Sequence, residues 1–486
     1  MLINKPLILS GASGTTAYTI DQSIRFNSAD SGYMHRTPSS SGNRKTFTSS
    51  FWVKFGDLTN CALPFPSVYQ NASYGAFLAS GIIQFFIYYT GSAWQGQLYT
   101  NRVFRDPSAW YHFVIVVDTT NAIAGERVRI YINGQRESSF STENYPNLNQ
   151  DTDWNNSGEK MGIGVNANGF GGSFGEYYAA EMHYLDGYAY GPEYFGETNS
   201  SGIWIPKEYS DSYGTNGFYI KGESSSDLGN DSSGNNNDFT TSGISAHDQV
   251  FDSPTNNFCV LNPTMNMTYQ YLTPDIRGVN LASQAVSASL NNYAIGSMGV
   301  KSGKWYFEAE YPTYPALSGA RVGFISLENA SSNIGGSSYG KEKVVLLSNR
   351  HTSGAFSNFE WGNGSSYPNT SATSQTPFVQ DDIIGVAFDC DNSTIQFYKN
   401  GSTFGSQFDY SAQSNSVDTS DGDTYAPIIM GDNTTYTNKV VLNFGQDSTF
   451  NGGTTAGGNS DGNGRGNFKY SVPSGYLALC TANLGS

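Results

Sequence analysis

Cysteine, basic residues and long apolar runs are all scarce in this chain. The four cysteines (Cys61, Cys259, Cys390, Cys480) lie far apart with no CxxC spacing. A disulfide framework or a thiolate zinc site needs closer, denser thiols, so these read as small core residues. Lys and Arg number 25 against 41 Asp and Glu, a formal net charge of −16. Such a surface repels nucleic-acid phosphates and anionic membranes, and it favours solubility at high concentration. No stretch reaches the ~18 apolar residues of a membrane span. The opening MLINKPLILSGASG has one Lys and an apolar run too short for a signal-peptide core, so a cleaved secretion signal is not expected. Charged residues make up only 14% of the chain, which leaves few of the helix formers Glu and Lys and biases it towards strands and turns. No segment carries a 3.6-residue period, and no heptads are present that could form a coiled coil.

What is abundant is strand-and-turn punctuation. The clearest example is Asp381–Gly401, DDIIGVAFDCDNSTIQFYKNG. Two apolar runs, Ile383–Phe388 and Ile395–Tyr398, flank an Asp/Asn turn, and Asn400-Gly401 follows. This predicts a β-hairpin leading into a second one, because a type I′ turn needs φ > 0 at both central residues and Asn-Gly tolerates that best. An earlier copy runs from WYHFVIVVD (Trp110–Asp118) into RVRIYING (Arg127–Gly134). Both copies share the order apolar strand, Asp, turn, and a strand ending Tyr-X-Asn-Gly. The echo predicts two related β-sandwiches, within the roughly two to four domains that this length suggests.

In chain order, strands are expected at Thr19–Phe26, Phe47–Phe55, Gly81–Tyr89, Trp110–Val117, Arg127–Ile132, Lys160–Val165 and Tyr178–Leu185, with a helical turn at Gly191–Phe195. Phe47, Ser49, Phe51, Val53 and Phe55 share one parity, the pattern of a half-buried strand. In the Arg127–Ile132 strand, Val128, Ile130 and Ile132 point one way and Arg127, Arg129 and Tyr131 the other. Ser224–Thr241 (SSSDLGNDSSGNNNDFTT) has the composition of a loop or linker, although Ile203–Ile205 and Gly217–Ile220 are apolar enough to pack. Beyond Cys259, strands are expected at Lys301–Glu310, Arg321–Ser326, Lys343–Leu347, Tyr425–Met430, Lys439–Phe444 and Pro473–Leu479. Trp305, Phe307 and Ala309 face one side of the Lys301–Glu310 strand, and Tyr306, Glu308 and Glu310 the other.

These pieces resemble known families. FTSSFWVKF, WYHFVIVVD, RVRIYINGQ and AEMHYLDGYAYGPEYFGE are similar to the laminin-G-like, concanavalin-A-like jelly rolls. SGKWYFEAE, RVGF, DDIIGVAFD, STIQFYKNG, YAPII, LNFG and PSGYLAL follow the order of the SPRY/B30.2 family. The resemblance implies an all-β chain of two concanavalin-A-like antiparallel sandwiches, with a laminin-G-like jelly roll over 1–200, a connector over 201–262 and a SPRY-like sandwich over 263–486. Members of the SPRY family bind partners through loops and have no catalysis of their own. The tandem arrangement and the phrases IWIPKEY, YGTNGFYI, DLGNDSSGNNNDF and DSPTNNF resemble virion structural proteins of marine tailed bacteriophages. That likeness implies a place on the virion surface and release by lysis, without a signal peptide.

Several constellations were weighed for chemistry. Gly171–Gly175 (GGSFG) and Gly336–Gly340 (GSSYG) match G-x-S-x-G, but neither precedes a helical pattern as a nucleophile elbow must, so both read as loops. Glu308 and Glu310, i and i+2 on a strand, stand about 7 Å apart, within the ~5–9.5 Å of a glycosidase pair. They read instead as solvated or inter-sheet residues, and the E-x-D-x-E pattern of laminarinase-like jelly rolls is absent. His35, His112, His183, His247 and His351 share no ligand spacing and read as structural. Calcium is the one cofactor considered, with Asp227, Asp231 and Asp238, or Asp418, Asp421 and Asp423, as oxygen donors on Gly-rich loops. Solvated turns are the favoured reading of these acids, and otherwise no cofactor is expected. The binding signal lies in two loops, Asn166–Tyr178 and His351–Pro368, which mix aromatics with Gly, Ser and Asn as adaptable recognition surfaces do. Their candidate ligand contacts are Phe170, Phe174, Tyr177, Phe356, Phe359, Trp361 and Tyr367.

The expectation is a non-enzymatic virion surface protein, as capsid decoration, fibre or tail knob, with lectin-like loops for host glycans or proteins. Its partners would be other virion proteins and copies of itself; a trimer would have to assemble through sandwich faces or extended connectors. Two other readings compete: a polysaccharide-degrading enzyme on the same scaffold, and a cellular SPRY-type peptide-binding adaptor.

Overall fold

The computed structural model describes residues 18–58, 60–68, 76–89, 93–166, 173–262, 275–277, 281–284, 292–313, 321–328, 343–348, 358–363, 369–372, 375–411, 422–431 and 438–485. Strands dominate them, with a few 3-10 turns and one short α-helix, Thr481–Leu484. The chain divides between Asn257 and Phe258 into two compact units.

In the first unit an eight-stranded sheet runs in the order Gln135–Arg136, Val128–Ile132, Tyr111–Asp118, Thr46–Phe55, Tyr177–Asp186, Ser23–Phe26, Gln249–Val250, with Phe218–Ile220 pairing further along Tyr177–Asp186. A five-stranded and a four-stranded sheet supply the other layer. One apolar cluster joins the layers: Phe47, Phe51, Val53 and Phe55 meet Leu78, Ile83, Phe85, Leu98, Met161 and Ile163. Val128, Ile130 and Ile132 point into it, as their period of two requires, and Arg129 and Tyr131 point away half-exposed.

Two expectations change here. The Thr46–Phe55 strand is not half-buried: every residue after Thr46 is buried, on both faces. Its second face is covered by the stretch read as a connector, which folds onto this unit. Within it, Phe218–Ile220 pairs with Tyr177–Asp186, Thr240–Ser242 with Tyr33–Arg36, and Gln249–Val250 with Ser23–Phe26. Composition misled because Gly, Ser and Asn in these residues build turns between short strands. Asp231 shows how. Its carboxylate accepts from the backbone N–H of Tyr219, Ser233 and Asn237, which satisfies donors that a linker would leave to water.

The second unit pairs a seven-stranded sheet with an eight-stranded one. The Ile383–Asp389 and Thr394–Lys399 strands form the expected hairpin, in register from Ile384↔Lys399 to Asp389↔Thr394. Phe307, Phe324, Phe388, Phe397 and Phe444 fill the space between the sheets. All four cysteines are free thiols and buried.

The Tyr-X-Asn-Gly echo has a common physical basis. Asn133 and Gly134 have φ of +48° and +76°, and Asn400 and Gly401 have +50° and +79°. In each corner the Asn closes a ring with a residue at the start of the neighbouring strand. Asn133 N–H donates to the His112 carbonyl and its Oδ1 accepts the His112 N–H, both at 2.8 Å. Asn400 does the same with Ile383, both at 2.9 Å. Each Gly then lies under an aromatic ring: a Cβ on Gly134 would stand 2.5 Å from the Trp204 ring, and one on Gly401 would stand 2.7 Å from Tyr470. We predict that Gly134→Ala destabilises the first unit by about 2 kcal/mol or more, combining left-handed strain with the clash. Gly158→Ala is the control, since Gly158 has φ +81° and nothing within 4 Å of its Cβ position. Equal losses for the two variants in denaturant titrations would show that Trp204 does not brace the corner.

Candidate binding surface

The loop aromatics proposed from sequence do not assemble into one site. Tyr177 is a fully buried core residue, its ring 4.9 Å from Phe26. Phe359 is also buried, against Phe397 and Phe408 at 5.7 and 5.2 Å. Both sit at inward positions of strands that extend into the stretches read as loops. Phe174 is half-buried, bridged to Val165 and 6.1 Å from the Tyr33 ring. Trp361 lies in the Asn358–Asn363 strand. Phe170, Phe356 and Tyr367 lie outside the described residues, as do Gly336–Gly340, His351, Asp418 and Asp421.

In the first acidic cluster, Asp231 is engaged in holding the chain together. Asp231 spends its oxygens as described above, Asp238 Oδ1 accepts from Asp231 N–H at 2.8 Å, and Asp227 is exposed. Asp423 accepts from the Ser326 hydroxyl at 2.7 Å. Among the described residues no three His, Cys, Asp or Glu side chains are grouped so as to hold a metal ion.

The outer face of the eight-stranded sheet in the first unit gathers the functional-looking side chains. A β-bulge in Tyr177–Asp186 reverses its alternation. Tyr177 and Ala179 point inward before it, and Met182 and Tyr184 point inward after it. Glu181, at the bulge, adopts φ +52° and turns outward. Its carboxylate accepts from the hydroxyls of Tyr18 (2.8 Å) and Tyr219 (2.5 Å) and lies 3.4 Å from His183 Nε2. Burial alone would raise this carboxyl, but the contacts from His183, Tyr219 and Tyr18 outweigh it and hold it below its ordinary value. Those phenols stay protonated; burial and the Glu181 charge push Tyr18 and Tyr219 up.

Two strands over, His112 is buried between Trp52 and Trp204, stacked on both. Burial pushes the imidazole down to about 3, so it is neutral. The Trp204 indole N–H donates to His112 Nδ1 at 3.0 Å, which leaves the ring proton on Nε2, facing the Ser50 hydroxyl at 2.9 Å. Nε2–H therefore donates to Ser50 Oγ and cannot take its proton. This Ser–His pair is assembled in the wrong tautomer for a nucleophile and its base.

Beside these groups the segment after Gly187 lays a row of tyrosines over the sheet. Thr48 Oγ1 donates to the Tyr188 carbonyl (2.8 Å) and accepts from Tyr190 N–H (3.0 Å), pinning that stretch. Tyr190 and Tyr194 stack at 4.1 Å and 6°, with Tyr188 tilted against Tyr190 at 5.2 Å. These rings and Tyr131 are half-exposed and rest on Val114, Val116 and Leu185. The 3-10 turn Pro192–Tyr194, expected from GPEYF, carries Tyr194 into the row. In the sequence this row is the spacing YAYGPEY, whose aromatics also belong to the jelly-roll motif.

In the second unit, Glu308 is fully buried, not solvated. Its oxygens accept from Lys469 and Tyr470 N–H, both at 2.9 Å, and from Asn443 Nδ2 and Tyr306 Oη, both at 3.2 Å. Glu310 is also buried, and its Oε2 has no hydrogen-bond partner among the described residues. Burial pushes both carboxyls up to about 7; at Glu310 the charges of Asp381 and Asp447 add to it. The face opposite Trp305 and Phe307 is dry because the chain around 443–470 lies over it.

These features define an all-β protein whose two domains are of the binding type. Residues 28–179 match the concanavalin A-like lectin/glucanases superfamily in its laminin-G form, and residues 304–447 match the SPRY domain. Similar solved structures include the SPRY domain of human HERC1, at 18% identity and TM-score 0.27, covering 37% of this chain and 96% of that one. The PSpry domain of TRIM65 is 12% identical with TM-score 0.25, covering 38% and 91%. A human SPRY domain is 15% identical with TM-score 0.24, covering 34% and 90%. None of the curated proteins matches the chain.

Proposed function

We propose that the chain is a non-catalytic binding protein of a bacteriophage virion surface, serving as capsid decoration, fibre or tail knob. Its first sandwich engages host-surface glycans or proteins, and its SPRY domain docks to other virion proteins or to further copies of the chain. The observation that carries the binding reading is the half-exposed tyrosine row on a domain that matches the lectin/glucanase superfamily. Aromatic faces held in place by a sheet offer flat apolar area at low entropic cost. The likeness of the connecting phrases to phage structural proteins supports the virion assignment. Glu308 has no oxygen to spare for a sugar, and Ser50 has no base, which weighs against hydrolysis at either place.

Mass spectrometry of purified particles is expected to find the chain in stoichiometric amounts, and antibody labelling to place it on the outside. Particles lacking it would overturn the virion assignment. Reducing ends released from host polysaccharide by the purified chain would replace this reading with the enzymatic one.

A further inference from the structure

On the outer face, Arg129 stands without a counter-ion among the described residues. Arg129 is half-buried, its Nε is shielded from solvent, and the guanidinium makes no hydrogen bond or ion pair among the described residues. A guanidinium in that state is a strong recognition group, since its planar fork fits a carboxylate with two parallel bonds. Its neighbours Arg127 and Arg136 are engaged, with the Asn121 and Pro146 carbonyls and with Glu126 respectively.

Register fixes where this cation stands. Arg129 pairs with Val116, and Val116 pairs with Thr48, so the three form one row across the sheet. Thr48 holds the backbone of Tyr188 and Tyr190. Two strand spacings separate Arg129 from Thr48, about 10 Å between backbones. Arg129 and the segment that carries the tyrosines thus meet the same row of the outer face. Tyr131, two residues on and on the same face, flanks the gap. After burial and Tyr194, the charge of Asp211 is among the influences that raise the Tyr190 hydroxyl. The row therefore runs from a cation to stacked phenols.

We propose that this row is a subsite for an acidic sugar, a uronic- or sialic-type residue of a surface polysaccharide. The ring lies on Tyr188, Tyr190 and Tyr194, and the sugar carboxylate pairs with Arg129. A neutral sugar leaves Arg129 unpaired. A phosphate-rich polymer meets the acidic surface of a chain with net charge −16, whereas a single terminal carboxylate aimed at Arg129 avoids most of that repulsion. This inference rests on the glycan-binding reading above and names its ligand class.

The test is calorimetric titration of the full chain with oligogalacturonate against its methyl ester, and with sialyllactose against lactose. At least one acidic member is expected to bind about tenfold or more tighter than its uncharged counterpart. Arg129→Gln should abolish that preference, Arg129→Lys should keep part of it, and Tyr190→Ala should weaken acidic and neutral forms alike, all with an unchanged thermal midpoint. Equal binding of acid and ester, a preference that survives Arg129→Gln, or retention of acidic peptides only would each overturn the subsite. If the chain binds host polysaccharide and Arg129→Gln changes nothing, the glycan-binding reading stands and the subsite falls. No retention of any saccharide or host surface counts against both.

Discussion

Lys54→Met is expected to cost the first unit about 3–5 kcal/mol and to lower its unfolding midpoint by on the order of 10 °C. Lys54 is completely buried on the outer face of its strand. Its ammonium lies 2.6 Å from Asp252 Oδ2 and 2.6 Å from Asn257 Oδ1. Asp252 Oδ1 accepts from the Trp110 indole at 2.8 Å, and the Asn257 amide donates to the Ser108 carbonyl at 2.9 Å. Removing the ammonium leaves the buried Asp252 carboxylate without the cation that lies against it. The large loss comes from that stranded charge, because a buried pair itself adds little over an apolar pair of equal volume. Lys54→Met combined with Asp252→Asn should therefore recover a good part of the loss. A single-variant penalty below about 1 kcal/mol in thermal or urea unfolding would mean that water reaches Asp252.

The second large effect concerns pH. In the second unit, Glu308 and Glu310 titrate at about 7 when folded, against an ordinary value of 4.5. Between those values the folded state holds protons that the unfolded chain has released. Stability is thus fully present below about pH 4.5 and falls as pH rises through 7. For Glu308 the loss is on the order of 3 kcal/mol by pH 8. The two acids should respond oppositely to amide substitution at pH 8. Glu308→Gln destabilises, by about 1–3 kcal/mol, because one of its oxygens becomes an NH2 facing a backbone N–H of Lys469 or Tyr470. Glu310→Gln stabilises, because it removes a charge that faces Asp381 and Asp447. Unfolding scans from pH 5 to 8 read this directly, with Lys54→Met marking which transition belongs to the first unit. A second transition that strengthens with rising pH, or a Glu310→Gln variant weaker than wild type at pH 8, would show that this pocket is wet.

Much of the fold was legible because local rules agreed with one another. Val128, Ile130 and Ile132 alternate, Asn133-Gly134 turns, and the strand pairs as those two facts require. The outer-face positions of Arg129 and Tyr131 followed from the same alternation. What could not be read depended on partners distant in sequence. The alternation through YYAAEMHYL breaks at a bulge where Glu181, not glycine, takes the left-handed conformation, and this puts Tyr177 inside. His112 owes its tautomer to Trp204, 92 residues away. Glu308 and Glu310 looked solvated because the residues that seal them, near Asn443 and Lys469, lie more than a hundred positions further on. The tyrosine row was visible as spacing, but its ordering by Thr48 was not.

The ion pair at Lys54 also bears on how such a chain can be cut and joined during evolution. A gene exchange at residue 200 would deliver a sandwich with an orphaned internal ammonium, an unpaired stretch of the Tyr177–Asp186 strand where Phe218–Ile220 should lie, and bare tyrosine and tryptophan rings. The portable cassette extends to Asn257, which supplies a side-chain oxygen to Lys54 and ends the compact unit.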